Sequence, residues 1–590
     1  MKSCRLGSLL IWLLAAVVMT ITFRMASTPA NHKPLRHTQY ASRVESQPSA
    51  RLVEAALRKA DVPQMLSASE RAALHRPVQI LSGTTILPDH SLLVEAIPVV
   101  EDQTLTWDPC IGGAQTGAWT FNELMLAIAG LRPTDNPQPA EQLWMDVLAD
   151  LGRPGGVTIG NFTAQPRPSA KDFFDYWPKD HDGRNMCTNP FSHQTFCLSL
   201  NDSPVHLNAI VNRIDVGQNG MADHAGMLRF VFGVTMNPTN DSGGGAGTGN
   251  FCQNSGNQNF NIILEYNVPS GITAQNWARQ WANLSNDCPN GITTTCAQGD
   301  QPGYFNYDLN SIVSQVVTMG AGGPNAPNGS ALAAIRTNEV ELAGSGNQIW
   351  EMRQWEFGSS GNPVLLVETA LTQTPDLSFD YGQPPGGSTF CTNSNQTPAC
   401  STITSEVEAL IVGHQSDIQN GTFTVPSGAQ AVSALNVPVF WNSSPSMAGV
   451  DPDTRVIFAA SPQLTDTTVG GIDGTCNGCH GTETQTGFQQ VANRAATGSG
   501  DQPSALSGFL VGCNNGGVTL TAPCPALSPG CGGSQDPCVY PLNSASSELV
   551  QDPVNTGQTN TFGDIQRRFN CMNKIASHPA GNVSCNGGGN

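Results

Sequence analysis

Seventeen cysteines in 590 residues constrain this chain more than any other feature, because each pair that closes fixes a loop covalently. Cys4 stands alone near the N-terminus, and Cys476 and Cys479 belong to a tight pattern with His480. Fourteen others remain: Cys110, Cys187, Cys197, Cys252, Cys288, Cys296, Cys391, Cys400, Cys513, Cys524, Cys531, Cys538, Cys571 and Cys585. Cys187 with Cys197, Cys288 with Cys296, Cys391 with Cys400, and Cys571 with Cys585 are close pairs in turn-rich sequence. An even set in an exported chain reads as disulfides, each stabilising by about 2–4 kcal/mol, mainly through the unfolded state. Spacing does not fix connectivity, least of all from Cys513 to Cys538.

Export is read from the N-terminus. Lys2 and Arg5 precede an uncharged apolar run over residues 6–23. This is the pattern of a signal peptide or an uncleaved signal anchor. The run is at the short edge of what spans a bilayer, and no clean Ala-x-Ala site follows it. Cys4 precedes the run, so it is not a lipoprotein attachment site. Basic residues before the run and polar sequence after it place the bulk of the chain outside the membrane, with N-terminal anchoring if the signal is retained. Acidic residues outnumber basic ones 46 to 27, for a formal charge of −19. Such a surface repels phosphate backbones, which excludes nucleic acid as an expected partner.

The segment Cys476-Asn-Gly-Cys479-His480 carries the chemistry. Two thiols at this spacing add across the vinyl groups of one haem, and the next imidazole binds the iron. A plain disulfide loop or a zinc half-site are the bland alternatives. Zinc would need two more ligands, and His578 is the only histidine downstream. The expected cofactor is one covalent haem c on Cys476 and Cys479, with His480 as proximal ligand. Haem c is attached outside the cytoplasm. A eukaryotic secretory chain has no obvious route to it, so a bacterial envelope location follows, periplasmic or extracellular.

Periodicity outlines an α+β protein. Residues 52–57, 121–127 and 141–148 place apolar residues at helical spacing, as do 274–284, 309–319, 330–336, 405–419 and 565–575. Residues 227–234, 260–268, 348–357 and 363–369 are rich in β-branched and aromatic residues and read as strands of an antiparallel or mixed sheet. The glycine-rich stretch 242–249 is not followed at once by a helix, so it reads as a loop and not as a phosphate cradle. The expected organisation is a signal peptide or anchor (1–25), a flexible tether (26–50) and a large region (51–437). That region joins helices to the α+β centre, with a boundary near 200 if it is two domains. A loop-rich, disulfide-containing haem c segment (438–590) follows. Length alone suggests about two to four domains.

The pentapeptide resembles the haem-attachment site of c-type cytochromes. Beyond about residue 200, Ala209-Ile-Val-Asn-Arg-Ile-Asp215, Arg336-Thr-Asn-Glu339, Gln373-Thr-Pro-Asp376, Glu483-Thr484 and Leu506-Ser-Gly-Phe-Leu510 resemble a family of uncharacterised exported bacterial proteins. That resemblance implies localisation and haem but names no reaction. Members tend to carry a histidine shortly after the counterpart of Phe488, where this chain has Gln489 and Gln490, so the distal side of the haem is left open.

For the distal position Met572 and His578 are the downstream candidates, and His206, His224 and His414 could reach across from the centre. Met572 lies on the apolar stripe of a helix, which also suits core packing. An open sixth position would admit peroxide or a gas. Arg213, Asp215, Arg229, Arg336, Glu339, Arg353 and Glu356 interrupt apolar runs. They must be paired inside the fold or serve haem propionates or a substrate. Two functions therefore stand. One is a mono-haem electron carrier or haem-dependent redox protein, with a redox partner protein or small-molecule substrate. The other is a secreted binding or structural protein in which haem is absent or merely stabilising.

Overall fold

The computed structural model describes residues 86–159, 162–164, 166–167, 169–180, 187, 196–216, 225–235, 260–340, 350–358, 365–371, 413, 434–435, 465–466, 471–472, 490–494, 503–507, 510, 548–551, 559–562 and 564–577. The expected N-terminal signal, the tether, the helical patterns at 52–57 and 405–419, the loop at 242–249 and the haem motif lie outside the described residues, apart from helical Gly413.

Six helices carry the argument: Phe121–Ile128 (α1), Gln138–Leu151 (α2), Ser169–Tyr176 (α3), Ala274–Asn283 (α4), Phe305–Val317 (α5) and Asp564–Ser577 (α6). Their ends follow capping chemistry. The Thr120 hydroxyl accepts from the Glu123 amide at 3.1 Å, and Thr273 does the same for Asn276 at 3.1 Å. Helix α2 opens with Pro139 near its start and stops at Gly152. Each buries an apolar stripe, as with Trp277 and Trp281 on α4, four residues apart on one face.

The sheet is a meander. Leu93–Val94 (β1), Val205–Arg213 (β2), Met227–Val234 (β3), Phe260–Asn267 (β4), Leu332–Val340 (β5), Trp350–Phe357 (β6) and Leu366–Thr369 (β7) lie side by side in that order. Ala434–Leu435 (β8) pairs with β6 at Glu351 and Met352, while β7 occupies the Gln354–Phe357 end. Every pairing is antiparallel, so the sheet is not of the mixed kind.

Residues 330–336 differ from their expected helix. The run Ala-Leu-Ala-Ala-Ile-Arg favours a helix by propensity, yet β5 is hydrogen-bonded to a neighbour along both edges, Ile335 lying opposite Leu264 on one side and Trp355 on the other. Tertiary pairing overrides local preference here. A 3-10 turn at Pro327–Gly329, with Asn328 in the left-handed region at φ 53°, delivers the chain into the strand.

Strand alternation divides the sheet into two faces. One carries Phe230, Phe232, Phe260, Ile262, Leu264 and Tyr266, all at most 1% exposed. This face meets the helices: the Phe121 ring is 5.5 Å from Phe232, Phe173 is 4.7 Å from Phe260, and Trp144 stands edge-on 5.2 Å from Phe121. Each side chain of this size contributes about 1.5–3 kcal/mol on full burial. The same hydrophobic core takes in Val491, Leu506 and Leu510, and Ile565, Met572 and Ile575 of α6.

Two expected disulfides are closed, Cys187–Cys197 and Cys288–Cys296, with Cα separations of 4.8 and 5.7 Å. Cys110 and Cys571 are also disulfide-bonded. Cys391, Cys400 and Cys585 lie outside the described residues. Among the described residues no helix is long and apolar enough to cross a membrane.

Candidate functional site

The second face of the sheet is polar. On it Arg229 and Glu265 are directly opposed on β3 and β4, with Nε and Oε1 2.6 Å apart. Arg336 on β5 reaches the same carboxylate at 3.2 Å and donates to Gln354 Oε1 at 2.9 Å, and Gln354 donates onward to Glu356. Three residues that interrupt apolar runs in the sequence, Arg229, Arg336 and Glu356, are thereby joined into one ladder across four strands. The Glu339 side chain lies outside the described residues. Arg353 belongs to the helix-covered face, where it pairs with Glu351 at 2.9 Å and Glu368 at 3.7 Å, and Arg167 reaches Glu351 at 3.3 Å. Burial pushes the Glu368 carboxyl up to about 8; Arg353 opposes this, while Asp150 and Glu351 reinforce it.

At the β2 end of the polar face three distant segments converge. A register shift between Leu207 and Ala209 leaves Asn208 as the extra residue of β2. Residues 490–494 and 503–507 pair with each other, Val491 opposite Leu506, and lie against this region as a strap. Asn261 donates to the Val491 carbonyl and Asn493 to the Val234 carbonyl, each at 2.6 Å, and Ser504 donates to the Asn208 carbonyl at 3.3 Å. Arg494 pairs with Glu101, lies 3.4 Å from Asp108, and sends Nε to the Leu207 carbonyl at 3.4 Å. Only glycine fits at position 233, because a Cβ there would overlap the Asn493 amide and come within 2.6 Å of Asn208 Nδ2.

His206 sits at the centre of this seam, 1% exposed, with Nδ1 3.7 Å from Asp108. The amides of Asn208 and Asn493 flank it, yet neither ring nitrogen completes a well-formed hydrogen bond. Burial first, then the Arg494 charge, lowers its pKa to about 4, against the opposing pull of Asp108, Asn208 and Asn493. The imidazole is therefore neutral at pH 7, a state in which it could also ligate a metal.

A third cluster fastens α6. Asp215, fully buried, accepts from Arg213 at 3.0 and 3.1 Å and from Arg567 at 2.8 Å. Three neighbouring arginines hold its carboxyl well below the usual carboxylate range. Asp564 pairs with Arg567 at 3.1 Å and Arg568 at 2.6 Å, and Arg279 of α4 donates to the Ala576 carbonyl at 2.9 Å. Met572 is 0% exposed on the inward side of this helix, within the core.

Of the residues singled out in the sequence, the structure brings Arg213 to Asp215 and joins Arg229, Arg336 and Glu356 through Glu265 and Gln354. Cys476, Cys479, His480, His578, His224 and His414 lie outside the described residues. Sequence reasoning missed Asp108, Asn208, Asn493 and Arg494, which carry no local signal. It also missed Asp564, Arg567 and Arg568, whose spacing on a predicted helix was a usable clue. Glu141 lies with Cys187 and Cys197 at metal-ligand spacing, ligand atoms within 4.8 Å of one another, but the two sulfurs are joined as a disulfide and are not thiolate ligands. No family model, no curated protein and no solved structure matches the chain.

Proposed function

We propose that this is an exported bacterial protein with one covalent haem c, serving electron transfer or haem-dependent redox chemistry in the envelope. The observation that carries the reading is the sequence Cys476-Asn-Gly-Cys479-His480. Cys476 and Cys479 would hold the group as thioethers, His480 would be the proximal ligand, and the haem when bound would supply a one-electron couple. The closed disulfides support an oxidising compartment. Gln490, ten residues after His480 in the sequence, begins the strap that is hydrogen-bonded to the polar face of the sheet. Met572 is sealed within the core, which supports packing as its role and a weak or replaceable distal ligand.

The test is expression of the full chain in a host with haem-maturation machinery. A denatured band should retain haem peroxidase stain and give the pyridine haemochrome spectrum of a thioether-linked haem. The stain should vanish in Cys476→Ala plus Cys479→Ala. Absence of covalent haem from the wild type removes the redox reading and leaves a secreted binding or structural protein.

A further inference from the structure

Strand β7 is four residues long, and among the described residues its one strand partner is β6, with Leu366 opposite Phe357 and Thr369 opposite Gln354. Its side chains alternate: Val367 is 41% exposed, while Leu366 and Glu368 turn towards the helix-covered face. An inward carboxyl is an expensive way to fasten a short edge strand, because burying it without hydrogen bonds opposes docking. The Glu368 side chain is 0% exposed, and neither of its oxygens has a hydrogen-bond partner among the described residues. Nη1 of Arg353 lies 3.7 Å away, beyond hydrogen-bond distance, and Nη2 of the same arginine pairs with Glu351 at 2.9 Å. The charged groups facing Glu368 are of both signs: Arg353 and Glu351 from β6, Asp150 from α2, and Arg153 just beyond α2. Trp355, directly opposite Glu368, donates to Asp150 at 3.3 Å, and Arg167 reaches Glu351 at 3.3 Å. A buried setting shared with two other carboxylates suits the neutral acid of Glu368 and not its anion.

We infer that β7 is a proton-operated latch: with Glu368 neutral the strand stays docked on β6 and α2, and loss of the proton releases it, uncovering Trp355 and the edge of β6. The sign follows from linkage. In the docked strand burial pushes the carboxyl up to about 8, against an ordinary value of 4.5 once it is released into water. Between those values the docked strand holds a proton that the released strand gives up. Each rise of one pH unit in that window therefore multiplies release about tenfold, and release changes no further below or above it. The window spans neutrality, and the latch does not depend on haem.

The experiment is hydrogen–deuterium exchange of the full-length chain from pH 5 to pH 9, with labelling times scaled to the intrinsic rate at each pH. Residues 366–369 should be protected less than the central strand β4 throughout, and their protection should fall about tenfold per unit up to pH 8. Glu368→Gln and Glu368→Met cannot ionise, and both should hold β7 at its acid-form protection across the range. Asp146→Asn removes a second carboxyl of α2, one that burial raises to about 6, and should leave the fall intact. Equal protection of β7 and β4 would mean that the strand leaves only with the whole fold, and overturns the inference. So do a wild type without pH dependence, the same fall in both Glu368 variants, and a fall that Asp146→Asn abolishes.

Discussion

Replacing His206 with glutamine should flatten part of the pH dependence of stability. In the fold the imidazole has a pKa of about 4, against an unfolded value near 6.5. Between those values the unfolded chain binds a proton that the folded chain refuses, so stability falls as pH falls from 6.5 towards 4 and changes no further below that. The slope is about 1.4 kcal/mol per pH unit, and the full effect is about 3 kcal/mol, an order-of-magnitude figure. The sign depends on a contest visible around the ring: burial and Arg494 oppose the proton, while Asp108 at 3.7 Å and the Asn208 and Asn493 side chains favour it. Urea unfolding followed by tryptophan fluorescence gives the reading, since Trp119, Trp144, Trp177, Trp277, Trp281 and Trp355 are fully buried and will shift to longer wavelength on exposure. Midpoints of wild type and His206→Gln, measured every half unit from pH 8 to pH 4, should converge as pH falls. Parallel curves would falsify the neutral-imidazole argument. Wild type gaining stability on the variant with falling pH would mean that Asp108 wins and the seam contains an imidazolium–carboxylate pair.

Met572→Ala should lower stability by about 2–5 kcal/mol, because the side chain is fully buried, and should leave the visible spectrum of a haem-loaded preparation unchanged. A low-to-high-spin conversion in that variant would make Met572 the distal ligand instead. Gly233→Ala forces a methyl into the Asn493 amide and should cost about 1–3 kcal/mol while exposing residues 490–510 to protease; unaltered cleavage would mean that the strap is not held there. Thiol labelling of the denatured, unreduced protein should find few free groups among the fourteen cysteines outside Cys4, Cys476 and Cys479; labelling of most of them would contradict the oxidising compartment.

What the sequence disclosed depended on whether the signal was local. Strands β3, β4 and β6 and helices α1, α2, α4 and α6 announce themselves because their apolar residues repeat at the period of the structure they form. Strand β5 does not, since Ala331 to Ile335 is helix-forming sequence made extended by two neighbours that lie elsewhere in the chain. Strand β2 is disguised by His206, Asn208 and Asn212, which break its apolar run although all nine residues are buried. The charges at Arg213 and Asp215 were legible as buried charges needing partners. That one partner is Arg567, 352 residues later, was not, because nothing in a single sequence encodes long-range proximity. The same holds for Arg494 and Glu101, 393 residues apart.

Those separations bear on the order in which the molecule is made. The sheet strands β1 to β7 precede the strap and α6 in the chain, so during synthesis the polar face exists before the strap that lies on it, and the turn after β2 before the helix that docks there. Until residues 490–507 arrive, Asn261 and the Val234 carbonyl have water as their alternative partner, and until α6 arrives Asp215 has Arg213 alone of its arginines. Such high contact order slows folding and keeps the last steps dependent on the C-terminus. A chain truncated before residue 490 should accordingly accumulate as an open, protease-sensitive intermediate with its helix-covered face formed and its polar face bare.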